Sequence, residues 1–500
     1  MKLQQYKEKF AVLQKEYIRS KQADGILAWD WRAITPRKAS YERATLVGMV
    51  SARTNELLCS TEMTVTLDKL YEHIEELDKV TAACVRLMKR ENERKRKIPG
   101  HFFSEFAVLQ GESESAWEQA KRTDDWELYK PHLKNMFEYT RRMIDLWGYE
   151  GSPYNALLGN CEEGMTTDIL DRLFTEVRDG IVPLIKKVQH SKITVDDSFC
   201  RYAYPVEGQR KMAQMILQYI GFDLERGLIA ESEHPYTCSF GLNDVRLTTH
   251  YYPNNLLSAL FSTLHEGGHG IYEQSYATGL EGTVAGAGLY SGMHESVARF
   301  WENIVGRSSA FWQFFLEPLQ TIFPEQLKGV TPGEMYRAVN KSGLSYTRIG
   351  ADELTYNLHI MLRYELERDV FEGKVDIDKL PQLWNEKMES YLGLTPPNGT
   401  LGILQDIQWS MAQFGYFPAY ALGNIYNAQY TDILKKELCF DKLVAAGDFK
   451  TILNWKSDRL YQYGMLRSPE QTLIEITGKP ASGSFLVDHL TKKFSTLYRL

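Results

Sequence analysis

The sequence predicts a mainly α protein, a large helical body carrying one small antiparallel sheet, and three observations carry that prediction. In residues 1–150 apolar positions recur at helical spacing; Leu46, Val47, Val50, Leu57 and Leu58 fall on one face with Arg53 and Glu56 beside it. Between about 195 and 251 the segments shorten, and residues 244–251 alternate with period 2 over most of their length, as a half-buried strand does. Residues 201–206 and 236–241 are expected to pair with it. From Pro253 onward the helical period returns: Leu358, Leu362, Leu366 and Val370 recur every fourth residue and stop before Gly373.

Composition narrows the function classes. With 43% hydrophobic and 25% charged residues in 500, the chain is neither a disordered tract nor a collagen-like repeat. The 58 basic and 65 acidic residues leave a net charge of −7, which argues against a broad nucleic-acid footprint. The run 89–97 (KRENERKRK) reads as a solvated helix end stopped by Pro99-Gly100. No stretch approaches about 18 consecutive apolar residues, and the first seventeen residues carry charges throughout, so neither a membrane span nor a secretory signal is expected. Cys59, Cys84, Cys161, Cys200, Cys238 and Cys439 are scattered without a CxxC, which predicts reduced, mostly buried thiols in a cytoplasmic protein.

The chemistry concentrates in Leu264-His265-Glu266-Gly267-Gly268-His269-Gly270. On a helix His265 and His269 stand one turn apart on one face, so both imidazoles can hold one Zn²⁺. Glu266 then lies beside them, placed to take a proton from a water on the metal. With 11 histidines and roughly 8% glutamate, chance supplies about 0.02 such matches per chain, so a fortuitous pair is disfavoured. Gly267 and Gly268 each cost a helix about 1 kcal/mol relative to alanine, which points to close packing there. Catalytic zinc needs a third protein ligand, and Glu295, in a second helical segment over 293–303, can supply it once the glycine-rich stretch 279–292 turns back. Glu273, four residues after His269, could orient a ligand or simply face solvent. His294 is a candidate hydrogen-bond donor in the site. His234, His250 and His359 lack ligand spacing and are expected to be structural.

These residues sit in a chain that resembles the Taq-type thermostable metallocarboxypeptidases. The resemblance runs through Leu27-Ala28-Trp29-Asp30, Tyr154-Asn155-Ala156-Leu157-Leu158, Glu163-Gly164-Met165-Thr166 and Asp244-Val245-Arg246-Leu247-Thr248-Thr249. It continues through His265–His269, His294-Glu295-Ser296, Arg348-Ile349-Gly350-Ala351-Asp352 and Gly402-Ile403-Leu404-Gln405-Asp406-Ile407-Gln408-Trp409. It implies a helical body with a deep active-site groove, a three-stranded sheet near the metal, and a homodimer. Although length alone suggests about three domains, motifs that must converge on one site make residues 1–500 one catalytic domain.

Three positions depart from the family pattern: Val297 where glutamine is usual, Thr347 where an aliphatic residue precedes Arg348, and Gln408 where histidine is usual. None removes a metal ligand or the base. The resemblance implies that Gln408 stands at a substrate-contacting position, where an amide donates a hydrogen bond but does not titrate near neutral pH.

The expected reaction is hydrolysis of the C-terminal peptide bond, with metal on His265, His269 and Glu295 and with Glu266 as general base and then proton donor. The metal is expected to be Zn²⁺, although the same ligands accept Co²⁺ or Mn²⁺. In Phe414-Gly415-Tyr416-Phe417-Pro418-Ala419-Tyr420 two phenols are available to the developing oxyanion; resemblance to the wider helical zinc peptidases favours Tyr416, with Tyr420 second. A free carboxylate suits an arginine fork: Arg348, with Asp352 as the candidate to orient it, comes first and Arg246 second. Competing readings are a helical zinc endopeptidase, a catalytically silent peptide-binding scaffold, and a helical interaction protein with a chance motif.

Overall fold

Capping and burial explain where the helices that carry the motifs begin and end. In a computed structural model that describes residues 2–286 and 288–500, the motif helix runs Leu256–Glu273. Asn255 caps it by accepting the Ser258 N–H through its side chain at 3.2 Å. Leu256, Ala259, Leu260, Leu264, Ile271 and Tyr272 are all buried, and a helix apolar on most sides must be covered on most sides. The helices Val206–Ile220 and Ser291–Arg299 and the sheet supply that cover. The helix Tyr356–Phe371 buries Leu358, Leu362, Leu366 and Val370 as expected.

The sheet is mixed rather than antiparallel. Its strands are β1 (Gly227–Glu231), β2 (Thr237–Ser239) and β3 (Val245–Thr249), in the order β1-β3-β2. β3 pairs parallel to β1, with Gly227 opposite Val245, and antiparallel to β2, with Cys238 opposite Arg246. Period 2 reports which face a side chain takes and carries nothing about strand direction, so the parallel edge was invisible to it. Residues 201–206 are not a strand: a 3₁₀ turn covers Ser198–Arg201, and Pro205 precedes the Val206–Ile220 helix. The third strand is instead β1, an edge strand whose Leu228 is 40% exposed, which blurs its alternation.

Two apolar cores hold most of the buried residues. The larger draws on residues from Ala116 to Tyr498. The smaller joins Phe10, Tyr17, Leu58, Leu67 and Met88 of the N-terminal helices to Ala285. The expected face of the Ser40–Cys59 helix is covered only near its end: Leu58 is buried, whereas Leu46 is 46% exposed. Between the two cores lies a cavity of about 1110 Å³ whose wall runs from the N-terminal helices to Glu273 of the motif helix. All six cysteines are unpaired; Cys84 and Cys200 are buried, Cys59, Cys161 and Cys238 half-buried, and Cys439 exposed. The expectation of mostly buried thiols therefore holds for two of them.

Candidate active site and metal centre

Backbone approach made possible by glycine assembles the centre. A Cβ on Gly268 would stand 2.8 Å from Ala298 Cα and one on Gly267 2.7 Å from Ile220 Cδ1. The absent side chains let the Ser291–Arg299 and Val206–Ile220 helices lie directly on the motif helix. Behind Glu295, Gly423 of the Phe417–Glu437 helix brings its backbone against Glu295 and Ser296. At its start the Ser291–Arg299 helix is held by Glu162, which accepts the Gly292 N–H at 2.8 Å.

This packing brings His265, His269 and Glu295 together, one donor atom of each lying within 4.8 Å of the others. Among the described residues His269 Nδ1 and Glu295 Oε2 are buried with no hydrogen-bond partner. A desolvated carboxylate oxygen without a donor is costly unless a cation takes it, and two imidazoles with one carboxylate suit a divalent ion. Burial, reinforced by His294 and His265, holds His269 well below the usual imidazole range, which leaves the ring neutral and able to hold a cation. For His265 burial pulls down, but the Glu302 hydrogen bond and the Glu295 charge outweigh it and raise the pKa.

Glu266 is 7% exposed, and its Oε2 accepts the Thr237 hydroxyl at 2.6 Å, so β2 fixes the carboxylate. Burial raises its pKa, offset in part by His265 and by the Thr237 hydrogen bond. His294 stacks on His269 with ring centroids 4.3 Å apart and pairs through Nε2 with Glu273 Oε1 at 3.1 Å. Glu273 is thus buried and bound to His294 rather than facing solvent.

Tyr416 and Tyr420 meet edge to face at 5.3 Å, and both feel the Glu295 charge, although burial contributes most to their raised pKa values. Arg348 lies 5.3 Å from the Tyr420 ring centroid and reaches Tyr356 Oη at 3.4 Å, while Arg299 lies over the Tyr356 ring, 4.7 Å from its centroid. Asp352 does not orient Arg348. It accepts the backbone N–H groups of Gly343, Leu354 and Thr355, and the carboxylate on Arg348 is Asp406, at 3.0 Å from Nε. A short polar side chain two or three residues ahead of free N–H groups caps them before it reaches across the fold. Among the described residues the Gln408 side-chain oxygen is buried without a partner. Arg246 is held by Asp244 through two hydrogen bonds of 2.7 and 2.8 Å and packs on Trp29 and Phe240. Of the remaining histidines, His234 is exposed, His250 bonds the Ser232 carbonyl, and His359 is a buried core residue pushed down to about 3 by burial and Arg363.

Sequence reasoning missed several residues that hold the site. Glu302 accepts His265 Nδ1 and Arg299 Nη1, each at 2.9 Å. It lies seven residues beyond Glu295, where Phe300–Val305 widens into a π-helical turn. Asp406, inside the 402–409 motif, clamps both Arg348 and the buried Arg363. Thr237 carried no signal, because its partner is 29 residues away.

The family described as carboxypeptidase Taq (M32) metallopeptidase matches residues 9–494. The chain is 38% identical to carboxypeptidase 1 of Bacillus subtilis over 100% of both chains. It is 35% identical to thermostable carboxypeptidase 1 of Thermus thermophilus over 95% of each. The crystal structure of the M32 carboxypeptidase from Deinococcus radiodurans superposes with a TM-score of 0.94 at 31% identity, covering 99% of both chains. With a metal-ligand cluster, a flanking glutamate and this full-length likeness, the chain belongs to the carboxypeptidase Taq (M32) family of metallopeptidases.

Proposed function

We propose that this metallocarboxypeptidase removes the C-terminal residue of peptides with Zn²⁺ held by His265, His269 and Glu295, and that residues 1–500 act as one catalytic unit. The observation that carries the reading is the convergence of those three donors with a Glu266 carboxylate fixed by Thr237. When bound, the ion supplies Lewis acidity, lowering the pKa of a water and polarising a carbonyl. Co²⁺ or Mn²⁺ suits the same donors.

Glu266 takes the proton of the attacking water and hands it to the leaving amine; its burial supports this, because desolvation raises its pKa above the usual carboxylate range and makes it a stronger base. Tyr416, with Tyr420 behind it, donates to the oxygen that gains charge. Arg348, held by Asp406, presents a fork to the terminal carboxylate. Arg246, already saturated by Asp244, is the second choice for that role. Gln408 donates its amide to the substrate, and His294, fixed by Glu273, donates a hydrogen bond within the site. Asp352 serves the substrate side only by shaping the loop that carries Arg348. No helix of the described residues is long and apolar enough to cross a membrane. The unpaired cysteines support a cytoplasmic location, and family resemblance supports a homodimer.

A mixed peptide set with free and amidated C-termini, digested with and without chelator and read by mass spectrometry, tests the reading. Loss of single C-terminal residues from free ends only, abolished by chelator, is expected. Internal cleavage of amidated peptides would favour an endopeptidase instead. Glu266→Gln should abolish turnover and leave metal content intact, whereas near-wild-type turnover would remove Glu266 from the mechanism.

A further inference from the structure

The charge run 89–97 is not merely a solvated helix end. Its helix, Lys79–Arg96, places Arg86, Arg90 and Arg94 one turn apart on one face, and Arg90, Arg94 and Lys95 line the cavity that reaches Glu273. Lys21 of the first helix joins them in the same wall.

These cations are poorly compensated. Arg86 is matched by Glu163, which Tyr290 also bonds. Among the described residues Arg90 has only that same Glu163 in reach, at 4.0 Å. Arg94 donates to the neutral Asn160 side chain at 2.7 Å and lies 5.3 Å from the Trp147 ring centroid. Among the described residues no carboxylate comes within 4.0 Å of Arg94, Lys95 or Lys21. Burial, aided by Arg90, pulls the Arg94 guanidinium down to about 10, as expected of a cation short of counter-charge. Of the carboxylates in the wall, Glu91 bonds Tyr17 and Glu273 bonds His294, which leaves Glu281.

We propose that Arg90 and Arg94 form a subsite for an acidic side chain of the substrate, upstream of the scissile bond, so that the enzyme favours peptides carrying Asp or Glu there. The proposal rests on the carboxypeptidase reading. In that reaction one residue lies beyond the cleaved bond and the rest of the peptide extends away from it. The cavity wall includes none of Arg348, Tyr416, Tyr420, Glu266 or the His265, His269 and Glu295 cluster, and it meets that cluster through Glu273, which bonds His294. Two arginine forks on one helix face, half removed from water, suit a carboxylate held by paired hydrogen bonds.

The test uses two peptide series with one C-terminal residue in common, carrying Glu or Gln at each of the four positions upstream. For the wild type the kcat/KM ratio of Glu to Gln peptide should reach about tenfold at one position at low salt and shrink toward 1 at about 0.5 M ionic strength. In Arg90→Gln and Arg94→Gln that ratio should fall toward 1, in Arg90→Glu it should invert, and in Arg90→Lys and Arg94→Lys it should persist in part. Arg94→Lys guards against a structural effect of losing the Asn160 contact. A wild-type ratio of 1 at every position, or a preference that survives the double glutamine variant, overturns the subsite while the Gln peptides are still trimmed. If no peptide of either series is trimmed, the carboxypeptidase reading itself fails and the subsite with it.

Discussion

Replacing Gly423 with alanine tests whether helix contact, rather than ligand identity alone, sets the metal centre. The new Cβ would stand 2.6 Å from Glu295 Cβ, 3.0 Å from the Glu295 carbonyl carbon and 3.1 Å from the Ser296 nitrogen. Ordinary contact begins at 3.4 Å, so the two helices must separate by about 1 Å, with Glu295 carried along. Overpacking of this kind costs about 1–3 kcal/mol, and the gain from alanine over glycine in a helix returns about 1 kcal/mol. Net destabilisation should therefore be modest, about 0–2 kcal/mol, whereas a misplacement of about 1 Å at the reacting groups costs on the order of 100-fold in rate. The assay pairs kcat/KM on a free-ended peptide with urea unfolding and elemental analysis. Gly48→Ala is the control: it is helical with nothing within 4 Å of a new Cβ, and should gain about 0.5–1 kcal/mol with activity unchanged. Wild-type kcat/KM in Gly423→Ala would refute the argument, because the Glu295 position would then be indifferent to the helix that abuts it.

Two further outcomes follow from groups outside the ligand set. Glu302→Gln removes the charge that orients His265 and anchors Arg299; metal affinity measured by chelator competition should drop about 10–100-fold, and an unchanged affinity would show that the contact is incidental. Burial pushes the Glu367 carboxyl up to about 7 from an ordinary 4.5, against the pull of its hydrogen bonds from Gly415, Tyr154 and Trp409. A raised folded-state pKa penalises the ionised form, so this group costs nothing at low pH and its penalty grows between about pH 4.5 and 7. Wild-type stability should decline relative to Glu367→Gln across that window, by on the order of 3 kcal/mol; unfolding curves whose difference is constant with pH would contradict it.

The chemistry-bearing residues were legible because their pattern is local. His265, Glu266 and His269 declare themselves within five positions, and a single helix turn dictates their shared face. The Tyr356–Phe371 helix was equally plain, because Leu358, Leu362, Leu366 and Val370 repeat with the helix and meet a core. The Ser40–Cys59 helix has the same kind of stripe, yet Leu46 stays exposed. Periodicity marks an apolar face and is silent on whether anything covers it.

By itself, then, the sequence determined the helical class, the metal motif and the family resemblance, since each is encoded in short-range spacing or in an ordered set of motifs. Only the tertiary structure decided the direction of β1, the bonding of Glu273 to His294, the choice of Asp406 over Asp352 as the anchor of Arg348, and the placing of Arg90 and Arg94 in a cavity wall. Each of these depends on which elements pack together. That is set by long-range burial and by close approaches such as those at Gly268 and Gly423, and no local period of the chain records it.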